Sequence, residues 1–350
     1  VYLSLNEEKA EIVDASELWG LDTMEVQDKL KEKHGRGVRV ACIGPAGEKL
    51  VRFSSILGDR RIAARGGVGA VMGSKNLKAV VINATRKVKV ADPRKFRKLI
   101  EKQVERYKTA FPPLFEPFSE AGTTTMAVPM QAMGVFPVKN FREGYLEGIE
   151  NVSEEAYAKV KVRNASCYGC MVHCGNVFKI ESGPYAGANS EGPDYESIWA
   201  FTGPVASSDI GATILADELC DQLGMDTISC GGTIGFAFEL FEKGLLTTKD
   251  TDGLELNYGD HQVMIELIKK IGKREGFGNL LAEGSLRAAE KIGKGAKKYA
   301  MQVKGQELPA YEPRAVKGQG LNIATCNFGA NHSSGYFTQE VFAVPVPRPV

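Results

Sequence analysis

Three cysteines within eight residues, Cys167-Tyr-Gly-Cys170-Met-Val-His-Cys174, constrain this chain more than any other feature. Three thiolates so close in sequence, with Gly169 and Gly175 freeing the backbone, can converge on one metal ion or cluster. Enzymes that cleave S-adenosylmethionine by radical chemistry carry the longer gap first, whereas here it comes second. A bacterial ferredoxin run needs a fourth cysteine close by. This run has none, so a fourth ligand has to be distant. Spacing alone leaves open an iron–sulfur cluster, a structural zinc site completed by His173, and three unrelated buried thiols.

Cys42, Cys220, Cys230 and Cys326 bring the cysteine count to seven. An odd count in 350 residues is not the disulfide framework of a small secreted domain, and it implies a reducing, cytoplasmic setting. Val1-Tyr2-Leu3-Ser4-Leu5 has no basic leader and no initiator Met, so the chain is expected to begin partway into a larger protein. Lys and Arg total 44 against 43 Asp and Glu, and a net charge of +1 gives no electrostatic footprint for nucleic acid. A chain that is 43% hydrophobic and 25% charged is globular, and its length suits two or three domains. Apolar stretches such as Thr227 to Phe238 are Gly-rich and fall short of the ~20 residues a membrane helix needs.

The pattern along the chain predicts an α+β fold, with a β-rich N-terminal part followed by mainly α-helical domains. Residues 1–14 alternate like a hairpin around Asn6-Glu7-Glu8-Lys9. Ser16 to Lys33 has helical character closed by Gly35. Val38–Ile43, Leu50–Leu57 and Lys78–Asn83 are expected strands, with Gly44-Pro45-Ala46-Gly47 as a turn. Asp92-Pro93 opens a charged helix over 94–109. Residues 111–150 are Pro- and Gly-rich and are expected to form a long functional loop. Helices are expected over 193–203, 207–223, 226–243, 260–275 and 279–293, with a short strand over 299–303.

Four further segments carry chemistry. Arg65-Gly66-Gly67-Val-Gly69-Ala-Val-Met-Gly73-Ser-Lys75 lets a backbone approach a ligand closely and brackets it with positive charge. It is neither a Walker A loop, because Lys75 follows Ser74, nor a Rossmann fingerprint. In Asp221-Gln-Leu-Gly224-Met225-Asp226, Gly224 is a helix stop and Asp226 the N-cap of the next helix. Asp221 then opposes the helix dipole and needs a compensating partner. Glu191-Gly-Pro-Asp-Tyr-Glu196 places acids at a helix start, and His332 in Gly329-Ala-Asn-His332 is a candidate proton-transfer group.

Together these segments resemble the aldehyde:ferredoxin oxidoreductases, tungsten enzymes with a bis-pyranopterin cofactor. Gly44-Pro-Ala-Gly-Glu48, Arg65 to Lys78, the cysteine run, Gly192-Pro-Asp-Tyr-Glu196, Leu223 to Ser229, Lys304 to Arg314 and Gly-Ala-Asn-His332 follow one another in family order. The resemblance implies that Arg65, Gly66 and Gly67 contact pterin and phosphate. It implies that Asp221, Met225 and Asp226 belong to the acid-bearing pterin motif, and that Cys167, Cys170 and Cys174 hold a [4Fe–4S] cluster. Glu196 is the matching acid near tungsten (or molybdenum), with Glu191 close enough to compete for the alignment, and His332 is the matching active-site histidine. The activity implied is oxidation of aldehydes to carboxylic acids with ferredoxin as acceptor. A relative acting on another substrate, such as an aromatic acyl thioester, and a non-catalytic zinc-stabilised or redox scaffold subunit are the alternatives.

The partners expected are ferredoxin, a small-molecule aldehyde and a second copy in a homodimer, with no nucleic acid and no membrane. On the same resemblance, residues 1–91 are the latter half of a β-rich cofactor-base domain. Residues 92–300 are a mainly helical domain carrying the cysteine motif, and 301–350 start a third, truncated helical domain. A first pterin-contacting segment is expected before Val1, with the fourth cluster cysteine beyond Val350. A basic residue is expected shortly after the histidine, where this chain has Ser333-Ser334.

Overall fold

The computed structural model describes residues 1–86, 88–110, 112–337, 340 and 341. Eleven strands are described: β1 Tyr2–Asn6, β2 Ala10–Val13, β3 Arg39–Cys42, β4 Ile56–Gly58, β5 Arg61–Ala63, β6 Ala79–Asn83, β7 Lys161–Ala165, β8 Gly175–Lys179, β9 Asn189–Ser190, β10 Gln302–Val303 and β11 Gln306–Glu307. The α-helices are α1 Thr23–His34, α2 Pro45–Glu48, α3 Val68–Ser74, α4 Pro93–Ala110, α5 Pro112–Glu120, α6 Ala127–Ala132 and α7 Glu154–Val160. They continue with α8 Tyr195–Thr202, α9 Ile210–Leu223, α10 Thr227–Glu242, α11 His261–Lys273, α12 Phe277–Leu281, α13 Ser285–Ile292 and α14 Lys317–Thr325. An N-terminal sheet followed by a helical body is the expected fold class.

The N-terminal sheet has the order β2-β1-β6-β3-β4-β5. Only β1 and β6 run parallel, from Tyr2 beside Ala79 to Asn6 beside Asn83. Tyr2, Val38, Val40, Cys42, Ala79 and Val81 bury one face of the sheet against Val26 and Leu30 of α1. That helix begins later than the sequence suggests, because Asp22 and Glu25 form a reciprocal cap there. Ser16–Leu18 is a separate 3₁₀ turn.

Five further expectations need correction. Residues 50–55 are not a strand: Val51 and Phe53 are buried in the helical core, and local turns occupy the backbone, with Val51 N donating to Ala46 O at 2.9 Å. The expected turn at Gly44–Gly47 is mostly the short helix α2. Residues 112–152 hold α5, α6 and two 3₁₀ turns, while Phe111 lies outside the described residues. Pro129 falls in the first turn of α6, where a missing N–H costs nothing. The helix expected over 279–293 is two, α12 and α13, broken at Gly284 with φ +81°. The end of the chain's last expected strand is β10, turned into β11 by Lys304 and Gly305 at positive φ.

Two features hold the sheet against the helical body. The first is main-chain contact. Ser55 N donates to Gly224 O at 2.8 Å and Asp226 N to Phe53 O at 2.9 Å. Thr23 Oγ1 donates to Asp221 O at 2.7 Å. A Cβ on Gly44 would lie 2.3 Å from Leu223 O, so this approach requires glycine. The second is a buried ion pair between Lys78, fully inaccessible, and Glu48. Lys78 Nζ also donates to Leu21 O at 2.9 Å, and Glu48 Oε1 accepts from Gly20 N at 2.9 Å.

Candidate active site

A cavity of about 380 Å³ opens where the sheet end, the cysteine loop and the helical body meet. Arg65, Asp221, Met225, Asp226, Glu196, His332, Cys167, Cys170 and Cys174 all line it. Residues more than 260 positions apart in sequence are thereby brought to one space, which is the juxtaposition the sequence reading requires. Gly66 and Gly67 are the exception. They face a neighbouring cavity of about 420 Å³ on the other side of Arg65. Gly67, at φ +71°, caps α3 and passes Arg52 so closely that a Cβ would lie 2.2 Å from its carbonyl oxygen.

Arg65 is pinned by Nη2, which donates to Glu307 O at 2.6 Å and to Ala330 O at 2.7 Å. Its Nη1 points at Asp226 Oδ2, 3.5 Å away, without forming a hydrogen bond. The other oxygen of Asp226 accepts from Ile228 N at 3.1 Å, as an N-cap should. Glu196 sits in the first turn of α8, entered through Asp194, whose carboxylate accepts from Ser197 N. Glu196 Oε2 accepts from Ala310 N at 3.0 Å, and Oε1 lies 3.7 Å from His332 Nδ1 with no hydrogen bond. Burial pushes the Glu196 carboxyl above its ordinary value, opposed by His332, the Ala310 N–H and Arg65. Glu191 is instead paired with Arg61 at 2.6 Å, which leaves Glu196 as the acid facing the histidine.

Asp221 finds no compensating cation that outweighs its burial. Burial first, then Asp217, hold its carboxyl well above the usual range, with Arg60 opposing. The awkward charge at the end of α9 is thus disfavoured by its surroundings, and burial is the main cause. Asp217, one turn earlier on the same helix face, was not foreseen. It accepts from Ser190 Oγ at 2.7 Å, and burial pushes it up to about 6. Its sequence signal was the four-residue spacing to Asp221.

This pair sets a pH dependence. A carboxyl raised from 3.8 to about 6 on folding adds stability below its unfolded value, and that stability is lost as pH rises through 6. The cofactor-free protein is expected to be less stable at pH 7.5 than at pH 5, by about 1 kcal/mol from Asp217 alone. Thermal unfolding of wild type and Asp217→Asn at both pH values checks this. The variant should show a flatter dependence, and equal slopes would refute the assignment.

The cysteine loop connects β7 to β8, a hairpin that sequence reading missed. Cys167 and Cys174 are exposed, Cys170 is half-buried, and all three are free thiols. Burial and the neighbouring Cys170 and Cys167 raise the Cys174 thiol. Among the described residues no three His, Cys, Asp or Glu side chains converge as a metal-holding set. The three thiols share the cavity wall without closing on one point. His173, at φ +57°, turns to a separate cavity with Arg163 and Glu191, so the cysteine loop does not present it as a zinc ligand.

Five buried polar atoms on residues lining the cavity are without hydrogen bonds: Arg65 Nη1, Asp226 Oδ2, Glu196 Oε1, His332 Nδ1 and Asn176 Oδ1. Native proteins pair nearly all such groups. Donors and acceptors without hydrogen bonds around one space fit a flat polar heterocycle that carries both N–H and carbonyl groups.

Comparison with known proteins places the whole chain in one family. The aldehyde ferredoxin oxidoreductase N-terminal domain matches residues 1–84, and domains 2 and 3 of that family match residues 98–349. The chain is 41% identical to the tungsten-containing aldehyde ferredoxin oxidoreductase of Pyrococcus furiosus, over 99% of this chain and 57% of that protein. It is 35% identical to the aliphatic sulfonate oxidoreductase, WOR-like subunit, of the same organism, over 95% of this chain and 56% of that protein. Among solved structures, the active-site complex of benzoyl coenzyme A reductase with 1,5-dienoyl-CoA superposes with a TM-score of 0.74 at 30% identity, covering 89% of this chain and 48% of that one. The chain spans 57% of the length of the first-named relative.

Proposed function

Because the chain belongs to the aldehyde ferredoxin oxidoreductase family, we propose that it carries the reacting centre of an enzyme that oxidises aldehydes to carboxylic acids and passes the electrons to ferredoxin. The observation that carries this reading is the set of buried polar atoms without hydrogen bonds, the facing pairs Arg65–Asp226 and Glu196–His332 among them, around one cavity whose wall bears three free thiols. The cofactor that fits is a tungsten, or molybdenum, bis-pyranopterin, with a [4Fe–4S] cluster beside it. Arg65 and Asp226 would meet its polar edge. Asp221, its carboxyl held well above the usual range by burial, lines the same wall as the buried Met225. Cys167, Cys170 and Cys174 are three cluster ligands, with the fourth supplied from outside the described residues.

When bound, the tungsten centre supplies the two-electron acceptor for the aldehyde carbon and the cluster a one-electron exit. Hydration and oxidation of RCHO to RCOOH release two electrons and two protons. Glu196 takes a proton from the attacking water, with its other oxygen held by the Ala310 N–H. His332 orients the carbonyl and hands on the second proton. A ferredoxin partner, a homodimer and a cytoplasmic setting belong to the same proposal. Among the described residues no helix is long and apolar enough to cross a membrane.

The test uses the full-length protein purified without oxygen. It should contain tungsten or molybdenum together with iron, and reduce a viologen only when an aldehyde is added. Cys170→Ala should lose most of its iron. Zinc alone, without the other three metals, would overturn the reading in favour of a structural site.

A further inference from the structure

A second space of about 390 Å³ adjoins the site and shares Glu196 and His332 with it. Its inner wall is aromatic. The rings of Tyr195 and Tyr311 are 5.9 Å apart, Tyr336 meets Tyr311 edge-on at 5.7 Å, and His332 stacks on Tyr311 at 6.1 Å. Hydrogen bonds fix the wall: Tyr195 Oη donates to Ala310 O at 2.9 Å, and the phenol oxygens of Tyr311 and Tyr336 are 2.8 Å apart. Phe118 and Met126 continue the apolar lining.

The charges are one-sided. Asp194 and Glu196 line the space, and among the described lining residues there is no Lys or Arg. Burial holds the phenols of Tyr311 and Tyr336 above their usual range, so they stay neutral and offer an anion no counter-charge. Ser333, exposed and next to His332 in the chain, lines the space without bringing a charge to it.

We propose that this space selects uncharged aldehydes with an aryl side chain and rejects aldehydes bearing a carboxylate, phosphate or sulfonate. The proposal rests on the reading of Glu196 and His332 as the reacting pair. A ring slots edge-on or offset against the fixed aromatic wall, which such pairs prefer to a face-to-face sandwich. An anionic substituent loses its water beside two carboxylates and gains no partner. The same lining disfavours the carboxylate product, so oxidation itself turns a retained molecule into an expelled one.

Matched substrates separate charge from size. For the full-length enzyme, kcat/KM for benzaldehyde is expected to exceed that for acetaldehyde by roughly tenfold, from apolar burial. It is expected to exceed that for 4-formylbenzoate by about 100-fold, from like-charge repulsion. Ser333→Arg should shrink the second ratio about tenfold by supplying a counter-charge. Calorimetric titration gives a readout without turnover: benzyl alcohol should bind and phenyl phosphate should not. Comparable kcat/KM for benzaldehyde and 4-formylbenzoate, or a ratio that Ser333→Arg leaves unchanged, overturns the selection by charge while the aldehyde oxidase reading stands. Absence of turnover with every aldehyde overturns both.

Discussion

Glu196→Gln in the full-length enzyme is expected to lower aldehyde turnover by about 1,000-fold, the middle of the range for general-base catalysis. The substitution preserves shape. A glutamine carbonyl can still accept from Ala310 N, and the amide fills the same volume beside His332. What it removes is the capacity to take a proton. Metal content should match wild type, which separates lost chemistry from lost cofactor. The wild-type pH profile carries a second signature. Burial holds the Glu196 carboxyl above its ordinary value, so the acid limb should fall above the usual carboxylate range and disappear in the variant. Turnover within a few-fold of wild type, with metals retained, would remove Glu196 from the mechanism.

Lys78→Met is the substitution with the largest expected cost in stability. Lys78 is fully buried and Glu48 nearly so. Removing the ammonium strands a buried carboxylate with only the Gly20 N–H to accept from, and breaking such a pair costs about 3–5 kcal/mol. Adding Glu48→Leu should recover part of that loss, because two apolar groups need no solvation. Urea unfolding of the two single variants and the double variant closes the cycle. Additive losses would show that Lys78 and Glu48 stabilise the fold independently.

The site residues were legible where chemistry leaves a local trace. Thiolate spacing, an N-cap aspartate after a helix-stopping glycine, and proline at a helix start are written into short windows, which make Cys170 a ligand candidate, Asp226 an N-cap and Glu196 a first-turn acid. Residues whose role depends on distant partners were not. Asp217 is an ordinary helical acid until Ser190 and Asp221 come beside it. Lys78, next to an apolar run, carries no sign in sequence that Glu48 will neutralise it. The prolines over 112–132 suggest a loop, yet Pro112, Pro113 and Pro129 fall in first turns of helices, where they are tolerated, and Pro117 lies inside α5 against its preference. Polar strands such as β7, Lys-Val-Arg-Asn-Ala, hide for the same reason: their pairing with β8, not their composition, makes them strands. Tyr311 and Tyr336 left no trace at all, since a pocket wall has no periodicity.

The main-chain fastening between the sheet and the turn at Gly224 bears on how such an enzyme can diverge. Gly44 meets Leu223 backbone to backbone, and across the join the Ser55 N–H donates to Gly224 O and the Asp226 N–H to Phe53 O. None of these contacts uses a side chain beyond the missing Cβ. Drift at neighbouring positions therefore leaves the spacing of Arg65 and Asp226 untouched, while the aromatic wall around Tyr311 can be rewritten. Substitutions in the wall around Tyr311 can therefore change what that space admits without moving Arg65 relative to Asp226.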